Sequence, residues 1–475
     1  MSPAELFIDR WYPVLRGGPP PVASFDLRDR QGAEAVREAW ARLGPGERIL
    51  IRTPGSAAAR SRLARLGALL EASDSAESFL EFGAGRRVVT LLPADDGAAF
   101  RGSLDLLPHD LPGGRALAAL LRLASPFKLA HRFGRPEISV WTRLGHALPV
   151  LDLPVIPVDG QVAVQVTKAD SDQPVTVRAM DRRGDARVAL QVGVSPASAA
   201  SVLRGSAALA FLREAALEHR SLAFASGERE GCPWLASNAT APTSTAPGAG
   251  FEAQHAALLL DLLGHGTASA PLGEIEAFVD ARRQLDSLWR DHDPQWHDDY
   301  SGLARALQHS AAGAAVDTGP AHGDLSPETI RPEAGTPHAD DWGRFARQAP
   351  LLYDLFHFLT QLPGPGQAPS DEASAAEPPS IESVWDSLRQ SLSGVAFDVV
   401  AASGLSNGAL ALHLGLTVLL DGTAAEMRAR LGKETGARPG LQRSLRQELA
   451  RRCREVLDGE RRGPWPRDDE HLRAA

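Results

Sequence analysis

Apolar residues recur along this chain with two different spacings, and the spacing changes from one region to the next. Residues 161–167, 174–180 and 186–194 alternate between apolar and polar positions, or run apolar, between polar turns such as Arg183-Gly184-Asp185. A period of two is typical of strands that bury one face. These segments are therefore predicted to be consecutive strands of an antiparallel sheet.

A helix and a hairpin are predicted directly after these strands. Residues 197–219 carry Ala and Leu at helical spacing. Residues 222–226 and 233–237 flank a polar, glycine-containing turn, which is the pattern of two paired strands. Residues 155–240 are thus predicted to form an antiparallel sheet with one helix.

The N-terminal region alternates between the two periodicities. Residues 31–43 and 57–70 have helical spacing, and residues 48–52 read as a short buried strand. Residues 79–82 and 86–92 read as strands joined at Gly83-Ala84-Gly85, which favours a hairpin turn over a cofactor-binding glycine loop. We therefore expect a small α/β domain over residues 1–145, with residues 131–144 leading the chain out of it.

The C-terminal half is predicted to be helical as far as a charged tail at residues 461–475. An Asp and His cluster at residues 291–299 could bind metal or a cation, although the surrounding pattern favours a loop between helices. Residues 362–381 lack periodicity and are predicted to be a mobile insertion. Helical spacing occurs at residues 251–263, 272–289, 300–312, 382–391, 397–420, 424–430 and 441–457.

Composition narrows the class of protein. The chain has 475 residues, of which 43% are hydrophobic and 23% charged, so it can build a sizeable core. A net charge of -9 argues against a general nucleic-acid binder and is compatible with a cationic small substrate. Two distant cysteines give no disulfide framework, and the N-terminus has no secretory pattern. We expect a cytoplasmic protein without a membrane-spanning segment.

The strongest chemical signal lies in residues 321–342. His322-Gly323-Asp324-Leu325 is followed by Thr329 and then by Asp341-Trp342. In phosphoryl transfer, one Asp accepts the proton of the attacking hydroxyl, while a second Asp holds metal against the nucleotide phosphates. The order and spacing of these residues favour a phosphotransferase site over an incidental loop.

In these residues the chain resembles the aminoglycoside phosphotransferase and choline kinase group of small-molecule kinases. The pattern H-G-D-L-x-x-x-N of that group is matched at residues 322–325, and its metal motif is matched at Asp341-Trp342. Its following helix is matched by Pro350, Tyr353, Asp354, Leu355 and the apolar residues 356–359. The resemblance implies an α+β, bilobal protein-kinase-like fold, with a small lobe at residues 155–240 and a helical large lobe at 241–460, preceded by the N-terminal domain.

The resemblance also implies a role for each matched position. Asp324 would be the general base that orients the acceptor hydroxyl, and Asp341 would be the principal Mg²⁺ ligand. Thr329 replaces the Asn of the pattern and would be a weaker contact to metal and nucleotide. His322 would belong to the catalytic loop and fix it through hydrogen bonds. The implied cofactors are ATP and Mg²⁺.

Several nucleotide-binding positions depart from the pattern. Gln191 stands where a lysine binds the phosphates, and Ser206 stands where a glutamate holds that lysine, with Glu214 as an alternative. The expected nucleotide loop, residues 167–175, contains no glycine. Lys168, beside that loop, could reach the phosphates from another direction or be a solvated turn residue.

Two functions follow from this mixture. The first is an ATP-dependent phosphotransferase acting on a hydroxyl of a small molecule. The alternative is a catalytically inactive pseudokinase that acts as a binding or regulatory module. The expected partners are a small-molecule acceptor and, through the N-terminal domain, another protein.

Overall fold

The computed structural model describes residues 21–28, 30–54, 56–70, 75–84, 88–94, 97–104, 137–143, 161–167, 173–181, 183–229, 231–239, 251–288, 293–326, 329–333, 336–360, 381–430, 439–460 and 463–464. The chain divides into two compact units. The first is Met1–Leu209 with Ala223–Thr245, and the second is Ala210–Leu222 with Ala246–Ala475.

Ten strands in the described part of the first unit form one mixed sheet. In chain order they are β1 (Ala23–Asp26), β2 (Arg48–Thr53), β3 (Ser75–Ala84), β4 (Val88–Pro93), β5 (Glu137–Thr142), β6 (Gln161–Thr167), β7 (Val175–Met180), β8 (Ala186–Val192), β9 (Ala223–Arg229) and β10 (Cys232–Asn238). Across the sheet their order is β1-β2-β5-β3-β4-β6-β7-β8-β10-β9. The β1–β2 pair is parallel and the other neighbours are antiparallel.

The strands predicted from residues 161–237 are confirmed. On β8, Val188, Leu190 and Val192 are buried while the intervening positions are more exposed, because successive side chains of a strand point to opposite faces. The buried face of β8 continues a row of apolar side chains that also includes Val177 of β7 and Trp234 of β10. Gln191 therefore lies on the face opposite this apolar row.

Two of the N-terminal strands, β1 and β5, were not predicted by the pattern. β3 and β4 pair as an antiparallel hairpin, which confirms the hairpin interpretation, although residues 85–87 lie outside the described residues. β5 was predicted to be a connection, yet all six of its residues are buried and it pairs with both β2 and β3. A strand buried on both faces lacks the alternation that reveals a half-buried one.

The sheet continues across the predicted domain boundary. The boundary itself falls within residues 144–160, outside the described residues. On either side of it, β4 pairs with β6 in antiparallel register, with Leu91 opposite Val164. The division into an N-terminal domain and a small lobe stays a prediction.

Helices cover parts of the first sheet. α1 (Arg30–Arg42) and α2 (Ala57–Leu66) pack on β2, where Trp40, Leu66 and Ile49 share one buried cluster. α3 (Gly97–Ser103) packs on Leu80 and Leu92 of β3 and β4, on the same face of the sheet as α1 and α2. α4 (Pro196–Glu214) follows β8, as predicted, and runs from the first unit into the second.

The second unit is largely helical, which together with the sheet confirms an α+β fold. One predicted helix is divided, because Gly404 adopts a left-handed φ of 65° after residue 403. The later part of that predicted helix, residues 397–420, continues into the predicted helix 424–430, and the two form one helix. The helices are α5 (Ala253–Leu263), α6 (Glu276–Leu288), α7 (Pro294–Ser310), α8 (Tyr353–Thr360), α9 (Ile381–Leu392), α10 (Phe397–Ser403), α11 (Asn407–Arg430) and α12 (Pro439–Leu457).

Among the described helices, α11 alone is long and apolar enough to cross a membrane, with a mean hydropathy of 1.4. Of that apolar window, 72% is buried inside the protein. α11 contacts α6, α7, α8 and α12. Its hydropathy therefore matches its position as a central helix of the second unit.

The acidic and imidazole cluster at residues 291–299 begins a helix. Asp293 caps α7 by accepting a hydrogen bond from the Gln295 amide, and Pro294 occupies the first turn. Asp299 is buried and paired with Arg451 of α12. Residues 291 and 292 lie outside the described part, and among the other members His297 is also buried while Asp298 is exposed.

Short strands position the loop that carries the H-G-D motif. β11 (Ala268–Pro271), β12 (Ala315–Ala321) and β15 (Ala346–Pro350) form a three-stranded sheet, and β13 (Ile330–Glu333) and β14 (Thr336–Ala339) form a hairpin. The loop of residues 322–329, called the H-G-D loop below, leaves β12 and enters this hairpin. Asp340 and Asp341 leave the hairpin, and α8 begins soon afterwards at Tyr353.

Candidate active site at the H-G-D loop

His322 is a buried support of the H-G-D loop. Its side chain has no exposure, and its ring packs against the ring of Trp342 with centroids 4.6 Å apart. The Nε2 atom lies 2.7 Å from the carbonyl oxygen of Asp340 and must donate this hydrogen bond, because a carbonyl only accepts. Nδ1 then accepts the amide hydrogen of Asp324 at 3.3 Å. The imidazole therefore joins the start of the loop to the segment that carries Asp341, as the predicted structural role requires.

Asp354 holds the same loop from α8. One carboxylate oxygen accepts the amide of His322 at 2.6 Å, and the other accepts the amide of Gly323 at 2.8 Å. Burial raises the pKa of Asp354, while these two amides and the nearby histidine oppose that effect. A buried carboxylate that accepts two backbone amides fixes the loop in one conformation.

Gly323 is required by both backbone conformation and space. Its φ is 88°, in the region that side chains disfavour. A Cβ atom there would lie 2.2 Å from the carbonyl oxygen of Arg344. The loop can therefore pass the Arg344 backbone closely only because residue 323 has no side chain.

Asp324 projects from this scaffold with its side chain 33% exposed. Its Oδ1 atom lies 3.0 Å from Nη1 of Arg344 and 3.4 Å from Nε2 of His357. Burial alone would raise its pKa, but the hydrogen bond from His357 and the charge of Arg344 hold the pKa of Asp324 below its ordinary value. The group is ionised at neutral pH. Its Oδ2 atom accepts no hydrogen bond from the residues that the structure describes.

His357 is protonated because it lies between two carboxylates. Its Nδ1 atom is 2.7 Å from Oδ2 of Asp421, and Tyr353 donates a 2.7 Å hydrogen bond to the other oxygen of Asp421. Burial lowers the pKa of His357, but the charge of Asp421 and the bond to Asp324 outweigh it and raise the pKa to about 10. The resulting imidazolium ties Asp324 of the loop to Asp421 of α11.

Asp341 differs from Asp324 in having no cationic side chain within 4 Å among the described residues. It adopts a left-handed conformation with φ 57° and lies at the surface of its unit. Desolvation raises its pKa and the negative charges of Asp340 and Asp324 raise it further, while the neighbouring His322 ring opposes them. Asp341 is therefore close enough to Asp324 for the charge of Asp324 to raise its pKa.

Thr329 closes the H-G-D loop. Its hydroxyl accepts the Ser326 amide at 2.9 Å and donates to the Ser326 carbonyl oxygen, also at 2.9 Å. The Asp340 amide in turn donates to the Thr329 carbonyl at 2.8 Å, which joins the two ends of the hairpin. The hydroxyl thus has a loop-closing task, and its predicted contact to metal and nucleotide stays a prediction.

Of the residues predicted to bind the nucleotide from the small lobe, Gln191 and Ser206 belong to the first unit and Glu214 belongs to the second. Gln191 is half-buried on β8, and its side chain makes no hydrogen bond to the described residues. Ser206 donates its hydroxyl to the Val202 carbonyl of its own helix. Lys168 lies outside the described residues. Glu214, the alternative to Ser206, ends α4 and pairs with Arg347.

The donor set around Asp341 fits Mg²⁺ held partly by phosphate. No group of three His, Cys, Asp or Glu side chains that could hold a metal occurs in the described part of the chain. Mg²⁺, however, is commonly bound through one or two carboxylates with substrate phosphates and water completing its coordination. Asp341 lies near the carboxylates of Asp340 and Asp324 and has no cationic partner among the described residues. A bound Mg²⁺ ion would neutralise the repulsion between these negative charges.

The sequence interpretation missed Asp354 as a loop anchor and missed His357 and Asp421 altogether. Asp354 was recognised only as part of a motif. His357 interrupts the apolar residues 356–359, and an imidazole in an apolar run was the available signal. Asp421 lies 64 residues from His357, so only the folded chain brings the two together.

No family model and no curated protein matches this chain. Solved structures similar to it include an amicoumacin kinase in complex with AMP-PNP, Ca²⁺ and Ami, at 14% identity and a TM-score of 0.39, covering 66% of this chain and 92% of that one. A choline/ethanolamine kinase family protein from Mesorhizobium loti has 15% identity, a TM-score of 0.39 and the same coverages of 66% and 92%. ADP-bound aminoglycoside phosphotransferase APH(2'')-Ib has 13% identity and a TM-score of 0.37, covering 61% and 93%.

The second and third of these proteins bear the names of the two groups that the H-G-D motif resembles. Identities and TM-scores this low say nothing about activity or substrate.

Proposed function

We propose that this protein is an ATP-dependent phosphotransferase that transfers a phosphoryl group to a hydroxyl of a small molecule. The observation that carries the proposal is the placement of two different carboxylates by one buried scaffold. Asp354 and His322 fix the loop from which Asp324 projects, and His322 also bonds to the segment that carries Asp341. One carboxylate is surrounded by cations and the other is not.

The two carboxylates would have different tasks. When bound, Mg·ATP supplies the phosphoryl group, and ADP is the leaving group. Asp324 would accept a hydrogen bond from the acceptor hydroxyl at Oδ2 and take its proton as the oxygen–phosphorus bond forms. Because the pKa of Asp324 is lowered, it is a weak base, and most of its effect would come from orienting the hydroxyl. Asp341 would hold the metal, and Thr329 would keep the loop closed.

The rest of the chain fits this proposal in outline. Residues 155–240 would form the small lobe, with Gln191 and Lys168 as its nucleotide-binding residues, and residues 241–460 would form the large lobe. The missing strand-three lysine would weaken nucleotide binding without removing the metal site. The N-terminal strands would extend the small-lobe sheet and could carry a surface for a protein partner.

Magnesium-dependent nucleotide binding tests the proposal. Thermal unfolding of the native chain should shift upward with ATP and Mg²⁺ and much less with ATP and EDTA, because a ligand that binds only the folded state stabilises it. The shift should disappear in Asp341→Ala and persist in Asp324→Ala. Asp386→Ala, which removes an exposed carboxylate paired with Arg389, is the matched control and should behave as the native chain.

Phosphoryl transfer separates the two aspartates further. With an acceptor identified from a panel of hydroxyl compounds, Asp324→Ala should lose at least about 100-fold in kcat while retaining nucleotide affinity, since orienting the acceptor is a transition-state task. Full turnover in Asp324→Ala would exclude the proposed role.

Gln191 and Ser206 favour one alternative, a kinase fold without catalysis that acts as a binding module. Neither side chain supplies charge, and the Ser206 hydroxyl is engaged within its own helix. The alternative predicts no magnesium-dependent shift at millimolar ATP. The same thermal experiment therefore decides between the two functions.

A further inference from the structure

The carboxylates on the α11 side of the H-G-D loop are already paired with cations of the chain. Asp324 faces Arg344 and His357, and Asp421 faces His357 and the hydroxyl of Tyr353. A cationic ligand entering here would have to compete with these partners, which are themselves held by the fold. Neither carboxylate is therefore free to form an ion pair with an ammonium group of a ligand.

Arg428 is a charged group of this region for which the described residues provide no partner. It lies seven residues after Asp421 on α11, which places both on the same face of the helix, about 10 Å apart along its axis. It is half-buried, and its guanidinium makes no ion pair or hydrogen bond with the residues that the structure describes. Withdrawing part of a guanidinium from water costs free energy, which an anionic ligand would offset by accepting its hydrogen bonds.

The surroundings of Arg428 connect it to the candidate site. Burial lowers its pKa, and the charges of Arg344 and Arg446 lower it further, whereas Asp421 and Asp324 raise it. Arg344 therefore acts on both Arg428 and Asp324, and Asp421 is joined to Asp324 through His357. Within the group formed by Arg344, His357, Arg428, Asp324 and Asp421, which excludes the proposed metal ligand Asp341, positive charges outnumber negative ones by three to two.

We propose that Arg428 binds an anionic group of the acceptor, so that the substrate is a small hydroxyl compound carrying a carboxylate or a phosphate. The planar guanidinium presents paired donors that match both anions. This inference rests on the proposed phosphotransferase function, and it replaces the cationic acceptor with which the net charge of the whole chain is compatible. The acceptor hydroxyl would lie at Asp324 and its anionic group toward Arg428.

A matched series of small polyols tests the charge preference. Serinol, glycerol, D-glycerate and glycerol 3-phosphate share a three-carbon skeleton and carry an ammonium, no charge, a carboxylate and a phosphate. Each would be titrated in the presence of saturating Mg·AMP-PNP, with thermal unfolding as the readout. We expect stabilisation by the two anions and none by serinol, and the stronger anion distinguishes a carboxylate site from a phosphate site.

Variants of α11 assign the effect to one side chain. Arg428→Gln should reduce the affinity for the anions at least about tenfold and leave the Mg·AMP-PNP shift intact, because the nucleotide side is untouched. Arg430→Gln removes the same charge from the exposed end of the same helix and should leave both shifts unchanged.

Three outcomes overturn the inference: equal responses to all four compounds, a larger response to serinol, or anion binding that survives in Arg428→Gln. Loss of the proposed function has a different signature. In that case the native chain fails to respond to Mg·AMP-PNP at all, while titration of the anions without nucleotide still reports on Arg428.

Discussion

The Nε2 atom of His357 lies 3.4 Å from Oδ1 of Asp324, so the proposed acceptor-orienting carboxylate is in contact with a buried imidazolium. The same ring is hydrogen-bonded to Asp421 through its other nitrogen. Asp324 of the H-G-D loop and Asp421 of α11 therefore both contact the protonated ring of His357. The ionisation of His357 should therefore influence both stability and the state of Asp324.

The stability of the protein should depend on pH through His357. Its pKa is raised from 6.5 to about 10, so its contribution to the free energy of unfolding is fully present below pH 6.5 and is lost as pH rises through about 10. His357→Gln removes this contribution. The stability difference between the native chain and the variant, measured by denaturant unfolding, should therefore shrink between pH 6.5 and 10.

The control for this experiment is His309→Gln, which changes an exposed histidine at the end of α7. Its stability should follow that of the native chain at every pH. A His357→Gln profile parallel to the native one over this range would contradict the assignment of an imidazolium at residue 357.

Asp354→Asn should destabilise the protein and reduce its activity. The asparagine oxygen can accept one of the two loop amides, but its NH₂ group then faces the other amide, and one buried donor loses its partner. We expect a loss of about 1–3 kcal/mol in the free energy of unfolding. Asp386→Asn, at an exposed ion pair of α9, should change it by less than about 0.5 kcal/mol.

Gly323→Ala separates backbone strain from steric conflict when it is compared with Gly404→Ala. Both glycines have positive φ, 88° and 65°, so both variants incur about 1 kcal/mol of conformational cost. At residue 404 the added Cβ meets nothing within 4 Å, whereas at residue 323 it meets the Arg344 backbone at 2.2 Å. Gly323→Ala should therefore lose about 2–5 kcal/mol and phosphoryl transfer, while Gly404→Ala keeps its activity. Equal stability losses in the two variants would show that the loop moves away from Arg344 easily.

A second glycine pair probes the packing of α11. A Cβ on Gly422 would lie 2.1 Å from the hydroxyl oxygen of Tyr300, whose ring is fully buried, but a Cβ on Gly408 meets nothing within 4 Å. Gly422→Ala should cost about 1–3 kcal/mol through overpacking, whereas Gly408→Ala should be neutral or stabilising by up to about 1 kcal/mol. Thermal or denaturant unfolding of the two variants measures the contrast. A stable Gly422→Ala would mean that Tyr300 can be displaced at low cost.

The hydrophobic pattern of a short segment was sufficient to predict those elements whose structure depends on residues close together in the sequence. The alternation in β7 and β8, the turn between β9 and β10 and the helical spacing of α4 each lie within one short segment, and all were predicted. The H-G-D loop and Asp341 could also be selected from the sequence as candidates, because they lie in contiguous motifs, and their roles stay a prediction.

Features that depend on distant partners could not be predicted in this way. β5 lies between β2 and β3, and its pairing with them depends on the fold of the whole region. Similarly, His357 becomes an imidazolium only because Asp421 approaches it across α8 and α11. The sequence of one strand or one helix has no hydrophobic period that shows which distant segment will lie beside it.

The antiparallel pairing of β4 with β6 has a practical consequence for any shortened chain. β6 is an interior strand of the sheet, with β4 on one side and β7 on the other. A protein that began at the predicted boundary near residue 155 would present the backbone amides and carbonyls of β6 as an open edge. Open edges of this kind recruit strands from other molecules, so such a fragment should aggregate unless a substitute strand covers it.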